Sequence, residues 1–147
     1  MALKRGVIES RLKELDLVVA QLNKYRDLQQ DTMKKDLEKR WVIERGLEAG
    51  AQLILEVADQ ILSNHFGSYS ETYEGTLRGL FEKKVISEDL YQQIKGLGGL
   101  RNILVHQYVQ VDLDIVFKGY HKSLRVFPVF AEEIIAWMDE LPAGGPQ

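Results

Sequence analysis

The chain has 147 residues, 45% hydrophobic and 28% charged, enough for one domain with a real core and the make-up of an ordinary soluble globular protein. It holds no cysteine, which excludes disulfides, thiolate metal sites and cysteine nucleophiles; no apolar run approaches the ~18 residues of a membrane span, and Met1 to Arg11 carry no signal-peptide core. A net charge of −3 argues against a broad, non-specific nucleic-acid binder, so any RNA contact has to come from a local cationic cleft.

The dominant period along the chain is helical. Ile8, Leu12, Leu15, Val19 and Leu22 keep a 4-3-4-3 spacing and predict a first helix over roughly residues 3–29. Leu47, Ala51, Ile54, Ala58 and Ile61 repeat that spacing on a second helix over roughly 33–64, with Gln29 to Thr32 as the short polar turn between them. So short a connection predicts an antiparallel hairpin. Gly67 is the expected left-handed end of the second helix, and a shorter helix near Glu71 to Lys83 should bury Leu77, Leu80 and Phe81. Ser87 is placed to cap a fourth helix, with Glu88 and Asp89 favourable at its N-terminus. Its core face passes through Leu90, Ile94 and Leu97 and continues in register to Arg101 and Tyr108. Asp112 should cap a last helix whose stripe runs from Tyr120 through Leu124, Phe127, Ala131, Ile134 and Met138 to Leu141, bent by Pro128. Nothing alternates with period two over a useful length. The expectation is an all-α bundle of four main helices and one shorter one, forming a single domain over residues 1–141 with a flexible tail at 142–147.

The chemistry concentrates in Arg101-Asn102-Ile103-Leu104-Val105-His106-Gln107-Tyr108, which reads R-x4-H-x-Y. Arginine holds a phosphate through a planar fork of donors, and histidine is suited to move a proton near neutral pH. Together they supply what cleaving an RNA backbone without a metal requires. The plainer reading is that Arg101, Asn102 and His106 complete hydrogen bonds at a helix C-terminus and that Tyr108 is a core aromatic. On an ideal helix Arg101 and His106 point about 140° apart, whereas Asn102 and His106 share a face at i,i+4. Either the helix unwinds after Leu104, or two copies meet so that each cleft draws on both motifs.

Gly96, Gly98 and Gly99 just upstream are either a simple helix interruption or a place where a backbone or a ribose-phosphate strand approaches closely. Glu44, in register with an apolar stripe, needs water or a partner, and an ion pair orienting Arg101 is one option. His65 and His121 have no metal-type partners nearby and read as surface or capping residues. The run from Lys34 to Arg40 reads as a solvated helix face whose basic members can attract RNA.

With these residues in view, the chain resembles the HEPN superfamily, and specifically its HepT-type ribonuclease toxins from toxin–antitoxin pairs. The superfamily signature is an arginine, four to six residues and a histidine, often with a polar residue directly after the arginine. Arg101-Asn102 and His106 match it, and Tyr108 matches the R-x4-H-x-Y extension. Lys35 to Trp41 through Ile61-Leu62 looks like the family's second helix, Ser70 to Ile86 like its short third element, and the kinked last helix also fits.

The resemblance implies a HEPN-like helical bundle and a homodimer with paired motifs lining one cleft. It implies a cytoplasmic, metal-independent endoribonuclease that needs no cofactor and spares DNA. Arg101 and His106 would be catalytic, and Asn102 would orient the imidazole. It also implies an antitoxin with a minimal nucleotidyltransferase fold that attaches adenylate to Tyr108. Two rivals remain: a catalytically silent HEPN dimer that binds a nucleotide or the partner, and a purely structural helical adaptor.

Overall fold

The computed structural model describes residues 3–106 and 112–142, with His106 described through its backbone only. Among the described residues seven α-helices follow one another: α1 (Arg5–Asn23), α2 (Gln30–Lys35), α3 (Leu37–Gln60), α4 (Tyr73–Glu82), α5 (Glu88–Ile94), α6 (Leu97–His106) and α7 (Leu113–Asp139). A π-helical turn, Ile61–His65, extends α3 and ends at Gly67, whose φ of +62° is the left-handed conformation expected there. No strand occurs among the described residues. The fold is all-α.

The 4-3-4-3 stripes form the core. Ile8, Leu12, Leu15, Val19 and Leu22 are all buried, as are Leu47, Ala51, Ile54, Ala58 and Ile61. Helix α3 sits centrally, touching α1, α2, α4, α6 and α7. Its crossing with α7 is made close by Gly50, where an added Cβ would stand 2.4 Å from Phe127 Cε2. Helix α7 runs unbroken through Pro128 and buries Tyr120, Phe127, Phe130, Ile134 and Met138. Arg5 fastens the start of α1 to the end of α7, donating to the Met138 carbonyl and pairing with Asp139.

Three of the expected elements differ in detail. The first helix ends at Asn23, and the connection is Lys24 to Gln29; Gln30 to Thr32, read as turn, are already helical in α2. The second helix is interrupted at Asp36, whose extended backbone and side chain cap α3 by accepting from the Lys39 N–H at 3.2 Å. The charge run is thus two helix ends and not one continuous face. The fourth helix is likewise two, α5 and α6, separated at Lys95 and Gly96. The caps foreseen at Ser87 and Asp112 are in place: Ser87 Oγ accepts from Leu90 N at 3.1 Å, and Asp112 Oδ1 accepts from Asp114 N at 3.0 Å.

Tyr120 joins α7 to α1 in the interior, its hydroxyl donating to the Leu22 carbonyl at 2.7 Å. Burial, with smaller contributions from Asp27 and Tyr25, pushes this phenol up to about 12. The folded value lies above the ~10 of an exposed tyrosine, so the contribution is complete below about pH 10. Between about pH 10 and about 12 the unfolded chain ionises and the folded one does not, and about 1.4 kcal/mol is lost per pH unit. Tyr120→Phe is expected to cost about 1 kcal/mol at neutral pH. It should also remove this part of the alkaline slope, which urea denaturation across that window reads directly. A mutant with the parent's slope would contradict the assignment.

Candidate active site

Helix α6 carries Arg101, Asn102 and His106 of the motif and is held between α3, α4 and α7. Its backbone is helical as far as His106. Among the described residues, the unwinding after Leu104 that was one of the two ways to bring Arg101 and His106 together is therefore absent. The His106 side chain and the whole of Tyr108 lie outside the described residues, so their placement in one cleft with Arg101 is not described.

Arg101 does not serve its own helix end. Its Nε donates to Gln52 Oε1 of α3 at 2.7 Å, and its guanidinium lies 5.6 Å from the centre of the Tyr73 ring at the start of α4. Gln52 Nε2 in turn donates to Glu56 Oε1 at 3.2 Å, and Glu56 Oε2 pairs with Arg11 of α1 at 3.3 Å. One line of polar contacts thus fixes the arginine from across the bundle. Among the described residues neither of its two terminal nitrogens makes a hydrogen bond. Those nitrogens are the edge of the guanidinium fork that a phosphate takes up.

Tyr73 is itself seated by Gly98, where an added Cβ would come within 2.6 Å of Tyr73 Cβ. The glycine run thus divides. Gly98 makes room for the ring beneath Arg101, Gly96 falls in the break between α5 and α6, and Gly96 and Gly99 both face open space. Asn102 is exposed and lines a groove of about 350 Å³ with Tyr73, Glu74, Lys95, Gly98 and Gly99. Glu74 in that groove accepts from the Tyr91 hydroxyl at 2.5 Å and from Arg78 at 2.6 Å. The Tyr91 bond above all holds its carboxyl below the usual range.

Glu44 does not orient Arg101; it pairs with Arg40 one turn earlier on α3, at 3.1 Å. His65 and His121 are exposed, His65 edge-on to Trp137 and His121 edge-on to Phe117. Among the described residues no three His, Cys, Asp or Glu side chains gather in a metal-holding group. No described helix is long and apolar enough to cross a membrane. Gln52 and Tyr73, which position the arginine, were not singled out from the sequence. The available signal was Gln52 itself, a lone amide inside the apolar stretch Gly50 to Leu55, four residues before Glu56.

This helical bundle, with Arg101 and His106 on one short helix, is similar to known proteins. The family model described as Ribonuclease HepT-like matches residues 15–134. The chain belongs to this HepT-like family. It is 27% identical over 132 residues to a protein named tRNA nuclease HepT from Aphanizomenon flos-aquae, with 90% of each chain covered. Its fold is similar to that of a tri-AMPylated HEPN toxin from Shewanella oneidensis solved in complex with an MNT antitoxin. That match has a TM-score of 0.80 and 20% identity, and covers 90% of this chain and 99% of that one. It is also similar to YutE, a cytosolic protein of unknown function from Bacillus subtilis. Here the TM-score is 0.79 and the identity 19%, over 95% of this chain and 94% of that one.

Proposed function

We propose that the chain is the toxin of a toxin–antitoxin pair, a metal-independent endoribonuclease of the cytoplasm that works as a homodimer. The observation that carries this reading is Arg101, anchored through Nε by Gln52 with its terminal nitrogens turned to no described partner, on a helix that also carries His106. Neutral His106 takes the proton of a ribose 2′-hydroxyl as that oxygen bonds to the adjacent phosphorus. Arg101 stabilises the charge that builds on the phosphoryl oxygens. The bond from phosphorus to the 5′-oxygen then breaks, and the partner's His106 protonates the leaving oxygen. Helicity as far as His106 supports a two-copy arrangement as the way to set an imidazole and a guanidinium at one phosphate. Asn102, one turn before His106, orients the imidazole. The relative named a tRNA nuclease supports this chemistry.

The test is incubation of purified protein with total RNA, with and without EDTA, followed by analysis of the ends. Cleavage that survives EDTA and leaves 2′,3′-cyclic phosphate and 5′-hydroxyl ends is expected, with DNA untouched. No cleavage, or cleavage that EDTA stops, would reject the reading.

Regulation is assigned to Tyr108, two residues beyond the proposed base. The AMPylated state and MNT partner of the Shewanella toxin support a nucleotidyltransferase antitoxin that transfers adenylate to the phenol oxygen with release of pyrophosphate. The added phosphodiester charge and nucleoside would repel and block an RNA phosphate. Co-expression with the cognate nucleotidyltransferase is expected to raise the intact mass by one or more adenylates and to silence cleavage, and Tyr108→Phe should lose at least one of them. An unmodified yet silenced protein would mean that the partner acts by binding alone.

A further inference from the structure

The described cations are not evenly used. Lys39 pairs with Asp36 and Arg40 with Glu44, so the basic run at the start of α3 is neutralised by its own neighbours. The exposed face of α7 is different. Lys118, Lys122 and Arg125 lie one helical turn apart, all three exposed, and none forms an ion pair among the described residues. The undescribed stretches hold no Asp or Glu to neutralise them. Arg125 donates to Gln93 Oε1 of α5 at 2.9 Å. Between this face and α5–α6 runs a groove of about 430 Å³ floored by Leu97, Leu100, Ile115 and Val126 and edged by Lys95, Lys118 and Lys122. No acidic residue lines it, in a chain whose acids outnumber its lysines and arginines by 22 to 19.

Lys95 lines both this groove and the Asn102 groove, and next to it is the break at Gly96, where, as at Gly99, an added Cβ would meet no atom within 4 Å. A strand leaving the motif helix over these bare glycines arrives between the lysines. We infer that the groove between α5–α6 and α7 is a second RNA subsite, holding one or two nucleotides beside the scissile phosphodiester, with phosphates on Lys95, Lys118 and Lys122 and a base against Ile115 and Leu100. The inference rests on the ribonuclease reading and adds where the strand runs. The size lies within the roughly 300–1,000 Å³ of small-ligand sites. A second copy of the chain is a poor occupant, because a two-fold contact here would oppose lysines to lysines with no acid between them.

The probe is a fluorescein-labelled single-stranded RNA of about ten nucleotides, followed by anisotropy against the full His106→Ala chain, which does not consume it. Lys118→Glu combined with Lys122→Glu is expected to weaken binding at least ~10-fold and to flatten log Kd against log salt by about 1.4, two phosphate contacts at about 0.7 each. Ile115→Ala should weaken binding severalfold and leave the salt slope alone. In the chain with His106 intact, the lysine pair should raise KM for long RNA and leave cleavage of a dinucleotide, too short to reach the groove, unchanged. If the parent binds RNA and all these variants bind equally well, the subsite falls and the ribonuclease reading stands. If the parent binds no RNA, both fall. A changed oligomeric state on light scattering, or lost association with the nucleotidyltransferase at unchanged RNA affinity, would make the groove a protein interface and overturn the proposal.

Discussion

On the proposed mechanism, His106→Ala is expected to lower RNA cleavage by roughly 10²–10⁴-fold, the range spanned by general acid–base groups, with the upper end favoured because one side chain would serve as base in one copy and acid in the other. The substitution falls beyond the turns of α6 that Leu97 and Leu100 anchor, so the fold is expected to survive. Circular dichroism and urea denaturation check that point. The rate is read by release of 2′,3′-cyclic phosphate under single-turnover conditions, which keeps product release out of the measurement. Mixed dimers sharpen the test. A dimer of one intact and one His106→Ala chain is expected to lose most of its activity, because each cleft then lacks either its acid or its base. Full activity in the mixed dimer would show that the two imidazoles do not divide the work, and full activity in the doubly substituted dimer would remove His106 from the mechanism.

Arg101→Ala is expected to cost roughly 10²–10³-fold in kcat, the size of losing one preorganised donor to a developing oxyanion. It also strips Gln52 of its partner and Tyr73 of the cation beside its ring, so a structural loss has to be separated from a chemical one. Two further variants do so. Arg101→Lys keeps the charge but cannot bond Gln52 through one nitrogen while offering two others to a phosphate, and it should recover little activity. Gln52→Leu leaves the guanidinium present but unanchored, with an expected loss in kcat smaller than that of Arg101→Ala and little change in KM. If Gln52→Leu matches the parent, the line of contacts from Arg11 through Glu56 has no bearing on catalysis. If Arg101→Lys matches the parent, the fork is not what the phosphate needs.

The sequence was most legible where one physical signal acts alone. Every residue of the first two apolar stripes is buried because burial of a 3.6-period face decides helix placement. Ser87, Asp112 and Gly67 were readable because each satisfies or ends a backbone pattern locally. Interruptions without such punctuation were missed. Asp36 stands inside a strongly charged run with good helix formers on both sides, and only its extended backbone reveals a cap. The break at Lys95 and Gly96 was masked by apolar spacing that stays in register across it, Ile94 and Leu97 both being buried. The motif itself was visible as R-x4-H-x-Y. What holds it was not, since Gln52 and Tyr73 come from helices 49 and 28 positions away along the chain, and no local pattern carries a contact of that span. Glu44 illustrates the converse: its partner, Arg40, was the nearest available cation on the same helix face.

The close crossing at Gly50 has a genetic consequence. With Phe127 already touching the α3 backbone there, a larger side chain forces α3 and α7 apart, and Gln52 moves with α3 only two residues away. On the ribonuclease reading, cells that survive unrestrained expression of this chain carry inactivating lesions. Those lesions need not fall in the motif: a bulky replacement of Gly50, buried where α3 crosses α7, would disarm Arg101 by displacing its anchor. A collection of survivors would therefore map the close crossing of α3 and α7 alongside the motif, and a Gly50 revertant is expected at a second site that shortens the residue at position 127.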